Sequence, residues 1–185
     1  MIDGIDGRCY TASEEASHGR TEKGMKDNTY YMRALQATLD HEIPITRQIG
    51  IRVARYDGEQ LALAAPLSRN INHKSTAFAG SLNSVVTLAG WGMIWIMLKE
   101  LDIAGTIVIQ DSASHYRRPV TQDFTAICHK PDAEQVDQFA RILREKGRAR
   151  LELQAEIHEH GALVMSFQGR YVALRNIAGN GNRTV

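Results

Sequence analysis

Residues 78–98 carry no formal charge and form the most apolar stretch of the chain, and just before them stand Asn70, Asn72, His73, Ser75 and Thr76. A helix that is apolar on every side belongs either in a bilayer or in the middle of a protein core. At ~1.5 Å per residue the run would nearly cross a membrane, so a span has to be weighed. Gly80, Gly90 and Gly92, with Ser81, Asn83, Ser84 and Thr87, count against it. So do the flanking segments, which read as strands of one sheet. The expectation is a buried helix with something wrapped around it.

The flanks supply the wrapper. In residues 29–41, Met32, Leu35 and Leu39 share one helical face with Tyr31 beside them, and Pro44 ends helical structure there. Asp57-Gly58 separates the apolar runs 49–56 and 60–67, which predicts a hairpin. Residues 105–120 and 122–130 read as two long strands joined at 119–121. Asp132 is placed to cap an amphipathic helix whose stripe is Val136, Phe139, Ala140 and Leu143, and Gly147 stops it. Ala149, Leu151, Leu153, Ala155 and Ile157 alternate with polar residues, as in a strand with one wet face. His160-Gly161 turns the chain into a last strand, 162–174. Six strands, mostly antiparallel, around one long central helix make an α+β arrangement. Residues 29–174 are expected to form a single domain, with 1–28 a disordered or loosely ordered extension and 175–185 a flexible tail.

Composition narrows the function classes. A net charge of +1 gives no global attraction to nucleic acid or anionic membrane. Cys9 and Cys128 match no metal or redox spacing, and no metal site is expected. Asp3, Asp6, Glu14 and Glu15 interrupt any secretory leader, so a cytoplasmic setting is the expectation. Phosphate-loop, dinucleotide and zinc patterns are missing from the sequence.

Three features carry a resemblance: the element order over 29–174, the polar loop opening into the helix ("NHKSTAFAGSL"), and "HYRRPVTQDFTA" at 115–126. Together they resemble the hot-dog fold of the thioesterase superfamily, in which a curved antiparallel sheet wraps a long central helix. More narrowly, "PITRQIGIRV", "APLSRNINHKSTAFAGSL", "GWGMIWIML" and "IVIQDSASHYRRPV" are similar to the YiiD C-terminal type of thioesterase domain. Some members of that group are implicated as malonyl-acyl-carrier-protein decarboxylases, which make acetyl-carrier protein for fatty-acid synthesis. The resemblance implies acyl-thioester chemistry on acyl-CoA or acyl carrier protein, with CoA or 4'-phosphopantetheine entering as part of the substrate rather than as a cofactor. It also implies a homodimer or homotetramer.

The residues offer a site at the head of the apolar helix. The first amides of a helix have no partner within it, and the dipole makes that end positive. The N–H groups of Ala79, Gly80 and Ser81 could hold a thioester oxygen as it becomes negative, and Gly80 lets a ligand approach; otherwise Gly80 serves tight packing and Ser81 a cap. Asn72 could orient a carbonyl or a water, and His73 could act as a general base; either could instead stabilise the loop. Asn70 is a weaker candidate of the same kind; Thr76 is counted with Ala79–Ser81 among the substrate-binding candidates, though it and Ser75 read more readily as helix caps than as attacking groups. Arg117 and Arg118 could meet the phosphates of CoA or the acidic face of a carrier protein. The second basic group, Arg141, Arg144, Lys146, Arg148 and Arg150, reads as a solvated face. Trp91, Trp95, Met93 and Met97 read as core.

Many hot-dog thioesterases carry a carboxylate on the central helix, but residues 78–98 contain none and Glu100 sits at the far end. The nearest alternative is Asp111, which could activate water, orient His73 or His115, or cap nearby amides. Hydrolysis needs an activated water, whereas decarboxylation of a malonyl thioester needs a held enolate oxygen and a site that desolvates the leaving carboxylate. Hydrolysis is the reading carried forward. Decarboxylation and a non-catalytic acyl-thioester-binding module are the alternatives.

Overall fold

The computed structural model describes residues 27–176. The expectations for 1–26 and 177–185 lie outside them. Helix α1 (Asn28–Glu42) starts slightly earlier than expected, because the Asp27 carboxylate accepts the Tyr30 N–H at 2.8 Å and caps it. Tyr31, Leu35 and Leu39 are its buried face. Pro44 ends α1 but not helical structure: it is the N-cap of a short helix α2 (Ile45–Ile49). A proline at a helix start removes an N–H that needs no partner, and the buried Thr46 hydroxyl fastens α2 back to the carbonyls of Leu39 and Ile43 at 2.8 and 2.9 Å.

The expected hairpin forms from β1 (Arg52–Tyr56) and β2 (Gln60–Ala65), its turn closed by Asp57, whose carboxylate accepts the Glu59 and Gln60 N–H groups. The long helix α3 (Ala79–Glu100) follows, then β3 (Gly105–Tyr116), β4 (Phe124–His129), α4 (Ala133–Lys146), β5 (Arg148–Glu159) and β6 (Ala162–Arg175). Asp132 and Gly147 bound α4 as read from the sequence. Strand β6 extends to Arg175, whose N–H reaches the Gly147 carbonyl at 2.8 Å.

The six strands form one antiparallel sheet in the order β1-β2-β4-β5-β6-β3. Although β3 and β4 are consecutive, they are not neighbours; the connection 117–123 carries the chain from the edge strand β3 to the other half of the sheet. Five strands, β2 to β6, pack on α3, so the sheet bends around it. Val85, Val86, Ala89, Met93, Ile94, Ile96 and Met97 on α3 are fully buried. Among the described residues α3 is the helix long and apolar enough to cross a membrane, and 67% of that window is buried in the protein. Trp91 and Trp95 are only half-buried, unlike Met93 and Met97. Trp91 donates its indole N–H to the Ile107 carbonyl of β3 at 3.3 Å, so the stripe the two tryptophans share runs beside the edge strand.

The helix and sheet approach most closely at Gly90. Tyr171 of β6, with no exposed surface, donates its hydroxyl to the Thr87 carbonyl at 2.7 Å. A Cβ on Gly90 would collide with that phenol. At the far end of α3, Glu100 accepts from Tyr56 at 2.5 Å and from Lys130 at 2.6 Å, tying the helix to β1 and to the residue after β4. Burial, then the Glu100 carboxylate, push the Tyr56 hydroxyl far above its usual range and keep it a donor.

Gly90→Ala is expected to lower stability by about 1–3 kcal/mol through overpacking, read as the urea unfolding midpoint. The penalty should shrink in a Tyr171→Leu background, where the whole ring edge that meets the new methyl is gone. An equal penalty in both backgrounds would show that the phenol is not what the glycine accommodates.

Candidate active site at the head of the central helix

The loop before α3 is a small hairpin. Phe78 donates its N–H to the Asn70 carbonyl at 2.6 Å, Asn72 donates to the Thr76 carbonyl at 2.8 Å, and Ile71 stands opposite Ala77. Ser75 takes a left-handed φ of 59° at its tip. The Ala77 N–H reaches Val120 O at 2.8 Å, anchoring the hairpin to the connection after β3.

The Asn72 side chain organises this loop. Its Oδ1 accepts from the N–H groups of Lys74 (2.8 Å) and Thr76 (3.3 Å). Its Nδ2 donates to Thr76 Oγ1 (2.9 Å) and the Ala77 carbonyl (3.1 Å). An amide has two donors and two acceptor sites, and all four are used locally. Asn70 is 3% exposed and donates to the carbonyls of Ile49 (2.8 Å) and Pro66 (2.7 Å); its Oδ1 is buried with no partner among the described residues. His73 sits exposed on the hairpin tip and its ring makes no hydrogen bond to a described residue.

Thr76 and Ser75 do not cap α3. The hairpin draws Thr76 back onto Asn72, and the N-cap position falls to Phe78, which offers no side-chain hydrogen bond. An N-cap of this kind costs about 1 kcal/mol relative to Ser, Thr, Asp or Asn. Thus no side chain caps the first turn, where Ala79 is exposed, Gly80 half-buried and Ser81 buried. The positive end of a 22-residue helix is left without a side-chain acceptor, with Ala79 exposed and the Phe78 ring lying against Gly80.

Strand β3 borders this end, and a bulge decides which of its residues do so. Ile109 pairs with Tyr171 but Asp111 pairs with Arg170, so Gln110 is an extra residue and the alternation reverses there. Before the bulge Ile107 and Ile109 face α3. After it Ser112, Ser114 and Tyr116 do, paired with Gly169, Phe167 and Met165. Ser114 donates to Asn83 Oδ1 at 2.6 Å, and the Tyr116 hydroxyl donates to the Ala79 carbonyl at 3.3 Å. Sequence reading missed Tyr116 and Asn83 as neighbours of the helix head. Tyr116 lies within the "HYRRPV" stretch that carries the resemblance, but only the bulge turns it toward the helix head, and Asn83 belongs to no recognisable motif.

Asp111 and His115 are turned to the opposite, convex face. Asp111 lies 3.3 Å from Arg170, both about half exposed, and is separated by the sheet from Asn72, His73 and the helix head. His115 and Arg117 line a shallow groove there with Glu156, and Arg118 is exposed beside them. In the second basic group, Arg144 donates to the Leu101 carbonyl at 3.1 Å and Arg150 to Gln110 at 3.0 Å. The hairpin ties Asn72 to Thr76 and Ala77, just before the Ala79–Ser81 turn, while His73 stands at the hairpin's tip, at the end away from α3, and Asp111 lies apart on the other face of the sheet. Cys128 is fully buried, and burial pushes its thiol up to about 12, which rules it out as a ready nucleophile. Among the described residues no three His, Cys, Asp or Glu side chains gather as for a metal ion.

Residues 32–175 match the family described as "Putative thioesterase (yiiD_Cterm)". Among solved structures, a protein of unknown function from Chlorobaculum tepidum is similar with a TM-score of 0.78 and 34% identity, over 80% of this chain and 97% of that one. One described as a "putative thioesterase" from Shewanella oneidensis gives 0.70 and 29%, over 79% and 99%. A thioesterase from Haemophilus influenzae, 13% identical, shares the fold alone, with a TM-score of 0.62 over 81% of this chain and 94% of that one.

Asn72→Ala is expected to destabilise the protein by about 1–3 kcal/mol, because it leaves half-buried loop groups unpaired. Asp111→Asn, at an exposed pair, should shift stability by less than about 0.5 kcal/mol. Urea unfolding of the two variants beside the parent chain checks both.

Proposed function

The chain belongs to the YiiD C-terminal thioesterase family and has the hot-dog fold; from that premise we propose that it hydrolyses acyl thioesters of CoA or acyl carrier protein at the head of α3. The observation that carries this reading is the open first turn, Ala79 to Ser81, with no side-chain cap. A thioester oxygen laid against those amides gains negative charge as water adds to the carbonyl carbon, and the amides hold that charge. The water's proton passes to a base, the carbon–sulfur bond breaks, and the thiolate leaves to be protonated. His73 is the base assigned here, presented on the hairpin that Asn72 holds closed. Arg117 and Arg118 would meet the phosphates or the carrier, and CoA or the phosphopantetheine arm arrives with the substrate.

One observation favours a second reading, decarboxylation of a malonyl thioester. Helix α3 carries no carboxylate before Glu100, which is committed to Tyr56 and Lys130, and Asp111 faces away. Decarboxylation dispenses with a carboxylate base: the bond to the carboxylate breaks, carbon dioxide leaves, the amides hold the enolate oxygen, and a proton from water completes the acetyl group. Strand β3 supports a homodimer, or a tetramer built from it. It is an edge strand exposed on both faces, with Val108 at 46% and Ile109 at 40%, and such an edge pairs readily with a second copy.

Incubation with acyl-CoA and acyl-carrier substrates, the malonyl forms included, separates these. Free thiol means hydrolysis, acetyl product means decarboxylation, and bound but unchanged substrate means a binding module. Ala79→Pro tests the amides directly. Phe78 already has φ −68° and ψ 129°, the conformation a residue before proline prefers, and proline fits the first position of a helix. The variant should fold normally, as judged by its thermal midpoint, yet lose about 10²-fold in turnover through one missing donor. Unchanged turnover would remove Ala79 N–H from the mechanism.

A further inference from the structure

The Phe78 side chain is 55% exposed, unusual for a phenylalanine, yet it is not loose. Its ring lies over Gly80, where a Cβ would collide with it. Its backbone is clamped on both sides, the N–H to Asn70 and the carbonyl by the Leu82 N–H at 3.1 Å, so only the side-chain torsions can carry the ring away.

The position matters because of what Gly80 heads. At 100° per residue, Gly80, Ser84, Thr87, Trp91 and Trp95 fall within about 80° of one another on the helix circumference. These are the half-buried residues of α3, apart from Asn83 and Leu88 just beside them. The stripe starts with small and polar side chains and becomes apolar toward Leu88, Trp91 and Trp95. An acyl chain leaving a carbonyl held at the first amides and running along α3 must cross Gly80, and the Phe78 ring already occupies that crossing.

We propose that Phe78 is a specificity-determining residue of this site, its ring on Gly80 limiting the site to thioesters of short acyl groups. This rests on the hydrolase reading above. Gly80 plays the complementary part: lacking a side chain, it lets the ring lie down.

The test is kcat/KM for a series of CoA thioesters from acetyl to dodecanoyl, with wild type, Phe78→Ala, Gly80→Ala and the double variant, together with thermal midpoint and elution volume. In the wild type, kcat/KM should fall as the chain lengthens. Phe78→Ala should raise the ratio of long-chain to acetyl turnover on the order of tenfold. Gly80→Ala should raise it in the same direction by forcing the ring off. The double variant should do no more than Phe78→Ala, because the colliding partner is gone. A chain-length profile in Phe78→Ala parallel to wild type, or a changed elution volume with the profile intact, overturns the ring's role while leaving the hydrolase reading in place. Where no CoA ester is turned over, the same series is run on acyl carrier protein, and no turnover on either carrier brings both readings down together. Phe78→Leu, which keeps bulk but not the flat ring, should give an intermediate profile and guards against a folding defect in the alanine variant.

Discussion

The structure depends on the burial of one helix with no polar face. Met93, Ile94, Ile96 and Met97 leave α3 nowhere to sit but inside, and no single neighbouring element can cover a helix all round. A sheet bent around it can, and five of the six strands do so. The match is close enough that Gly90 has to give up its side chain for Tyr171. At the far end, the one acidic residue of α3 is consumed by Tyr56 and Lys130. What remains uncommitted is the first turn and one half-buried stripe, and the proposed site is placed there because the rest of the helix is already spoken for by the fold.

That fold was legible because its signals are periodic and local. Alternation fixes β5, Asp132 and Gly147 bound α4, and Asp57-Gly58 closes the first hairpin. The misreadings have physical causes of another kind. Pro44 read as a stop because proline cannot sit inside a helix, but the same ring suits the start of α2. Asp111 read as a site residue because it is a charge in an apolar strand. Alternation would have put it on the same face as Ile107 and Ile109, toward α3; the extra residue Gln110 turns it outward and turns Tyr116 inward instead. A bulge leaves no mark that alternation alone can detect. Thr76 read as a cap, but its hydroxyl is engaged by Asn72, four residues earlier, in a loop whose closure is a three-dimensional fact.

Asn72 illustrates how a site residue can act without reaching a substrate. Every polar atom of its amide is committed within the hairpin, so its contribution as the structure stands is to set where Phe78 and the first amides lie. The hairpin then fixes the helix head from one side, through Phe78 N–H to Asn70, and from another, through Ala77 N–H to Val120. Pre-organised donors stabilise developing charge because they need not reorient when it appears. A rigid loop before an uncapped turn meets that requirement, and the missing N-cap bond is the stability given up for it.

The same turn is also held from the edge of the sheet. Tyr116 reaches the Ala79 carbonyl and Ser114 reaches Asn83, one turn further along. Both belong to the half of β3 beyond the bulge, and among the described residues β3 has a neighbour on one side only. An unpaired edge strand is held less firmly than an inner one, and here it carries two of the hydrogen bonds that position the helix head. A second copy paired along β3, as proposed above, would stiffen that strand and, through Tyr116 and Ser114, the amides of the first turn. The proposed dimer edge rests on sheet topology, whereas the two hydrogen bonds that would link it to the helix head follow from a single extra residue in β3.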